Sequence, residues 1–159
     1  LHREAIDDMS DMRELYQEVI LDHHKHPRNF GRLEGANRHA EGFNPLCGDR
    51  VTVYALVEGD VIREIAFDGS GCAICVASAS VMTDELKGHT LAEVEKLYGT
   101  FHDVVMSDSD SPVDAEALGK LAVFAGVREF PVRVKCATLP WHALRAALRN
   151  PDGTPVTTE

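Results

Sequence analysis

The sequence predicts an α+β domain in which a small antiparallel sheet packs against several helices. Three observations carry this. Arg50–Val57 (RVTVYALV) and Val61–Phe67 (VIREIAF) are rich in β-branched and aromatic residues and are separated only by Glu58, Gly59 and Asp60, the pattern of a hairpin. Helical signals then dominate from Cys72 onward. No internal repeat or low-complexity segment suggests another architecture.

Taken in order, Met12 to His24 places Leu15, Tyr16, Val19 and Ile20 at helical spacing, after Ser10 and Asp11 as caps and before Pro27, which ends the helix. Pro27 to Pro45, with Gly31, Gly35 and Gly42 and little periodicity, reads as an ordered loop leading to Cys47. After the hairpin, the run CAICVASASVMTDELKG predicts a helix that starts at or just after Cys72 and stops at Gly88. Thr90 and Glu93 have capping-box spacing, and Leu91, Val94, Leu97, Phe101 and Val104 give the next helix an apolar face. Asp108 to Ser111 is a polar turn and Asp114 to Val127 a further helix. Val132 to Lys135 reads as a short extended piece ending at Cys136, and Leu139 to Leu148 as the last helix. The whole chain, 1–159, fits one domain with flexible ends at 1–10 and 150–159.

Acidic residues outnumber basic ones 26 to 16, which argues against a nucleic-acid partner because phosphate neutralisation needs clustered Lys and Arg. No apolar run is long enough for a membrane span, and the first residues lack a signal-peptide profile, so a soluble cytoplasmic protein is expected. Four cysteines are too few for a disulfide scaffold of this size, which leaves metal binding or thiol chemistry as the alternative to plain burial.

The thiols differ in setting. Cys47 and Asp49 flank Gly48, so a thiolate and a carboxylate on one side of an extended segment can approach the same ion. Cys72 follows Asp68-Gly69-Ser70-Gly71 at a helix start, where free N–H groups lower a thiol pKa; the alternative is a small residue packed beneath the helix. Cys136, expected between a strand and a helix, has the same predicted setting. Cys72 and Cys75 also spell CxxC, a redox pair or half a zinc knuckle, but the hairpin-first order lacks the βαβ context of the former, and Cys47 and Cys136 stand alone rather than paired. Cys75 is therefore placed in the core. Cys47, Asp49, Cys72 and Cys136 make a possible tetrahedral set of three sulfurs and one oxygen, although spacing does not establish that they meet.

Asn44-Pro45-Leu46-Cys47-Gly48-Asp49, Gly71-Cys72-Ala73-Ile74 with Ala77-Ser78-Ala79-Ser80, and Cys136 near the end resemble iron–sulfur cluster assembly scaffolds of the IscU and NifU N-terminal type. Leu21-Asp22-His23-His24 through Gly31 resembles the start of the same family. Lys135 where the IscU pattern has a histidine, and an extra segment from about Leu97 to Asp114, are most similar to the SufU branch. The resemblance implies that Cys47, Asp49, Cys72 and Cys136 converge on zinc. It also implies acceptance of persulfide sulfur from a SufS-like cysteine desulfurase or, alternatively, assembly of a [2Fe-2S] cluster, or binding of iron, on the same ligands.

Such a protein would be a sulfurtransferase-like partner of the desulfurase, passing its cargo to a cluster-assembly complex or to apo iron–sulfur proteins. Cys47, in a Gly- and Pro-containing loop rather than at a helix start, is the expected persulfide acceptor. Arg133, Lys135 and the stretch from His24 to Arg28 are the expected docking groups on an otherwise acidic chain.

Overall fold

The computed structural model describes residues 16–108 and 110–149 and the backbone of 153–157. The expected caps Ser10 and Asp11 and the expected flexible segment 1–10 lie outside the described residues. The fold is α+β, as the sequence predicts. Helix α1 is described over 16–25, followed by β1 (Arg38–Asn44), β2 (Asp49–Glu58) and β3 (Val61–Ser70). Then come α2 (Ala73–Leu86), α3 (Leu91–Val105), a short α4 (Ala115–Leu118), a 3₁₀ stretch (Gly119–Glu129), α5 (Pro131–Arg149) and β4 (Gly153–Thr157).

The sheet order is β3-β2-β1-β4, antiparallel except for β4, which runs parallel to β1 on the edge. Strand β2 alternates as its sequence requires: Asp49, Val51, Val53, Ala55 and Val57 are buried on the face that meets the helices. Helix α2 is built from small residues because it is enclosed on most sides, with Cys75, Ala77, Ala79, Val81 and Met82 all buried between β3 and α5. The capping box at Thr90 and Glu93 forms as expected.

Four expectations are corrected. The loop expected before Cys47 contains β1, whose core face is made of Ala40, Gly42 and Asn44, too small and polar to register as a strand stripe. A Cβ on Gly42 would lie 2.9 Å from Leu139 Cδ1, so glycine lets α5 lie close on β1. Residues 114–127 are not one α-helix but α4 followed by 3₁₀ turns, joined at Gly119 with φ +57. Val132–Lys135 is helical rather than extended: α5 begins at Pro131, a residue suited to the first helical position, and runs through Pro140. Pro140 has no N–H for the Cys136 carbonyl one turn earlier, and Ser78 Oγ donates to the neighbouring Ala137 carbonyl at 2.6 Å. Finally, 153–157, expected to be frayed, has backbone paired with β1.

Polar contacts fix the end of α1 to α2. Buried His23 Nδ1 is 2.7 Å from Ser80 Oγ, which also accepts from the Arg28 backbone N–H at 2.8 Å. Asn29 Nδ2 donates to Thr83 Oγ1. Burial holds the His23 and His142 imidazoles below the ordinary 6.5. A base with a lowered folded pKa resists a proton that the unfolded chain accepts, so stability is level above about pH 6.5 and falls as pH drops from there through the folded values. Melting temperature followed from pH 7.5 to 5 should show this slope, and His23→Gln should reduce it but leave the His142 share. A slope unchanged in His23→Gln would contradict the assignment. The carboxyls of Asp22, lowered by its hydrogen bond with Arg28, and Glu93, lowered by the Thr90 cap, act in a separate window below about pH 4.5.

Candidate metal centre

Two junctions of the fold and one turn of α5 carry the candidate ligands. The turn joining β1 to β2 holds Cys47: Leu46 N–H donates to Asn44 Oδ1 at 3.1 Å, and Gly48 N–H to the Asn44 carbonyl at 2.8 Å. Gly48 closes the turn with φ +72, a backbone state that glycine enters without Cβ strain. The turn leaves Cys47 exposed, whereas Asp49, the first residue of β2, is buried.

Cys72 is the N-cap of α2, as the sequence suggests, and its Sγ accepts from Cys75 N–H at 3.5 Å. Its own N–H donates to Asp49 Oδ1 at 2.8 Å, and its Sγ is 3.6 Å from Asp49 Oδ2. The carboxylate fits only because Gly71 has no side chain: a Cβ there would lie 2.9 Å from Asp49 Oδ1. A side chain at Gly69 would likewise run into the Arg50 carbonyl. Sequence reading did not single out these two glycines, although their place just before a cysteine at a helix start was the available signal.

Cys136 projects from the second turn of α5 rather than from a helix start, fully buried, with Sγ 3.7 Å from Cys47 Sγ. The ligand atoms of Cys47, Asp49 and Cys136 all lie within 4.8 Å of one another. Cys72 Sγ stands outside that group and adjoins it through Asp49 Oδ2 at 3.6 Å. For a tetrahedral ion with metal–sulfur bonds of about 2.3 Å and metal–oxygen bonds of about 2.0 Å, the S···S edge is about 3.8 Å and the S···O edge about 3.5 Å. The Cys47–Cys136 separation of 3.7 Å and the Cys72–Asp49 separation of 3.6 Å match those edges, and thiolates with one carboxylate are donors that suit zinc. Among the described residues no histidine joins the group.

The two inner thiols are unequal. Hydrogen bonding with the Cys136 thiol, aided by the N–H groups of Cys75 and Ile74, holds Cys72 down to about 6 against the opposing effect of burial. The same bond, with burial and the nearby Asp49, pushes the Cys136 thiol up, so the expectation of equal settings fails. Arg133, one turn before Cys136 on an exposed part of α5, has its guanidinium pKa raised, first by the charge on Cys72 and then by contact with Cys136.

Lys135 is half-buried and adjoins Cys136 in sequence, where neighbouring residues of a helix point different ways. The stretch from His24 to Arg28 is not at the centre: Arg28 pairs with Asp22 at 2.6 Å beside Ser80, about 12 Å along α2 from Cys72. Cys75 is buried in the core with its thiol pushed up by burial, while Cys72 turns toward Asp49 and Cys136. The geometry is that of a cluster excluding Cys75, not of a CxxC pair.

The chain is similar to known proteins over most of its length. The model of the NifU-like N terminal domain matches residues 15–137. The zinc-dependent sulfurtransferase SufU of Bacillus subtilis is 38% identical over 140 residues, covering 87% of this chain and 92% of the relative. The iron-sulfur cluster assembly scaffold protein IscU of Streptococcus pyogenes is 38% identical over 142 residues, covering 89% and 87%. A crystal structure described as an iron-sulfur cluster assembly scaffold protein for the SUF system, from Fervidobacterium islandicum, superposes with a TM-score of 0.76 at 37% identity, covering 82% of this chain and 94% of that one. The chain belongs to the NifU-like N-terminal domain family.

Proposed function

We propose that this protein serves iron–sulfur cluster assembly in the cytoplasm by accepting and carrying persulfide sulfur from a SufS-like cysteine desulfurase. Zinc would be held by Cys47, Asp49, Cys72 and Cys136. The observation that carries the reading is the meeting of Cys47, Asp49 and Cys136 within 4.8 Å of one another, with Cys72 Sγ 3.6 Å from the Asp49 carboxylate. The activity named for the Bacillus relative supports it. A setting that keeps thiols reduced suits four free cysteines, and no helix among the described residues is long and apolar enough to cross a membrane.

Bound zinc supplies positive charge that keeps its sulfur ligands deprotonated at neutral pH. The chain's own residues do the rest. Asp49 fixes the start of α2 through the Cys72 N–H, which presents Cys72 and Cys136 as inner sulfurs and leaves Cys47 at the surface. The Cys47 thiolate attacks the outer sulfur of the desulfurase persulfide. A new S–S bond forms as the old one breaks, the desulfurase cysteine leaves as a thiolate, and no net oxidation or reduction occurs. The Arg133 guanidinium favours the incoming anion, and Arg133 with Lys135 forms the docking patch on α5. The carried sulfur then goes to a cluster-assembly complex or to apo iron–sulfur proteins.

A second reading, a scaffold for a [2Fe-2S] cluster, uses the same ligands and is favoured by the equal identity to the Streptococcus scaffold. Protein purified without air separates the two. The sulfur carrier should be colourless, contain one zinc per chain and accelerate cysteine desulfuration when mixed with the desulfurase. Brown protein with cluster absorption and no acceleration would reject the carrier in favour of the scaffold.

A further inference from the structure

Asn44 is fully buried, and its Nδ2 has no hydrogen-bond partner among the described residues. The assignment of the amide is fixed, because the Leu46 N–H donates to the other end, Oδ1, at 3.1 Å. A buried donor left unsatisfied is costly, so this one calls for an acceptor that the working protein supplies.

The packing of β1 on α5 says where that acceptor is. Ala40 clusters with Ala146 and Ala147. Two residues on, a Cβ at Gly42 would meet Leu139 at 2.9 Å and Ala143 at 3.2 Å. The strand therefore runs toward the N-terminal end of α5. Asn44, on the same buried face one step farther, comes next to the turn that carries Cys136. Across the ladder Asn44 pairs with Asp49, and it opens the turn that carries Cys47. The unsatisfied amide thus belongs to the residue that pairs with Asp49 and opens the Cys47 turn, and the register of β1 on α5 leads from it toward Cys136.

We infer that Asn44 is a positioning residue of the metal centre, whose buried amide donates to the Cys136 sulfur once that sulfur is a metal-bound thiolate. This rests on the zinc reading above. A metal-bound cysteine sulfur is a thiolate, which carries no proton and accepts hydrogen bonds. Such a bond holds the ligand's orientation and withdraws electron density from the sulfur, and losing an outer partner of this kind typically weakens metal binding about 10–100-fold.

Two variants of the full chain test it, Asn44→Ser and Asn44→Asp. Both keep an acceptor for the Leu46 N–H and both remove the amide donor. Zinc affinity is read by competition with a chromophoric chelator, and the sulfur-to-metal charge-transfer band is read after cobalt(II) substitution. Asn44→Ser should bind zinc about 10-fold or more weakly and shift the cobalt band to lower energy. Asn44→Asp, which adds negative charge beside the thiolates, should lose more. Melting of the chelator-treated protein should be nearly unchanged in Asn44→Ser.

The competing structural role is a bond to the Cys136 carbonyl, which Pro140 leaves without a helix donor. That role predicts wild-type zinc affinity and an unshifted cobalt band together with a lower melting temperature, and this result would overturn the inference. If Asn44→Ser fails to fold, the same readings on Asn44→Asp decide. A wild-type protein that binds neither zinc nor cobalt would reject the zinc reading and this inference with it, whereas wild-type binding with unaffected variants rejects the inference alone.

Discussion

Cys136→Ser is expected to lose stoichiometric zinc, with affinity down more than about 100-fold, while Cys75→Ser keeps wild-type zinc content and loses stability instead. A hydroxyl is a poor replacement for a soft thiolate ligand, so the loss should exceed that of an outer hydrogen-bond partner. Cys136 Sγ lies 3.7 Å from Cys47 Sγ and within 4.8 Å of the Asp49 carboxylate, so no other side chain can fill its corner without moving α5. Cys75 is only three residues from Cys72, yet its thiol is enclosed in the apolar core. Serine there would bury an unmatched hydroxyl at a cost of about 1–3 kcal/mol. Elemental analysis and thermal melting of both variants separate the two effects. Zinc lost from Cys75→Ser and kept in Cys136→Ser would mean that the ligand set has been drawn wrongly.

Local signals explain which parts of this arrangement were legible in the sequence. The hairpin, the start of α2 at Cys72 and the capping box at Thr90 rest on interactions spanning a few residues, and each lies where the sequence puts it. The misread elements depend on tertiary contact. Strand β1 is made regular by α5 packing on Gly42 and by β4 pairing along its edge. Helix α5 runs unbroken through Pro140 with its middle buried against the sheet and α2, where Ser78 Oγ donates to the Ala137 carbonyl.

The site shows the same division. The residue types and the family motifs identified all four candidate ligands, but only the packing of α5 against the sheet brings Cys136 to Cys47. The unequal thiol pKa values were not readable for that reason: the largest cause of both shifts is the Cys72–Cys136 hydrogen bond, between residues far apart in sequence. The motifs contain Asn44, Gly69 and Gly71 but do not reveal their roles, since what each does depends on a partner from another strand or helix.

Sulfur delivered by the desulfurase is expected on Cys47 alone, and Cys47→Ser should reduce sulfur acceptance to background. Three thiols surround the centre, but they are not equally reachable. Cys136 is fully buried and carried by a helix whose other faces pack on β1, β2 and α2. Cys72 is half-buried at the α2 cap, tied through its own N–H to Asp49. Cys47 is the exposed one, in a four-residue turn whose backbone is closed by Gly48 and whose neighbour Leu46 is 68% exposed. An attacking thiolate must align with the S–S bond of a persulfide carried on another protein, so access selects Cys47. Moving that sulfur outward disturbs only the turn, whereas moving Cys72 or Cys136 would unseat a helix.

Loss of activity in Cys47→Ser would not be sufficient by itself, because a permanent zinc ligand at that position would give the same result by loss of metal. The location of the sulfur is decisive. Incubation with desulfurase and cysteine, alkylation of the persulfides and peptide mass spectrometry should find the added sulfur on the peptide containing Cys47. Added sulfur on Cys136 or Cys75, with Cys47 unmodified, would refute the assignment and leave Cys47 as a ligand only.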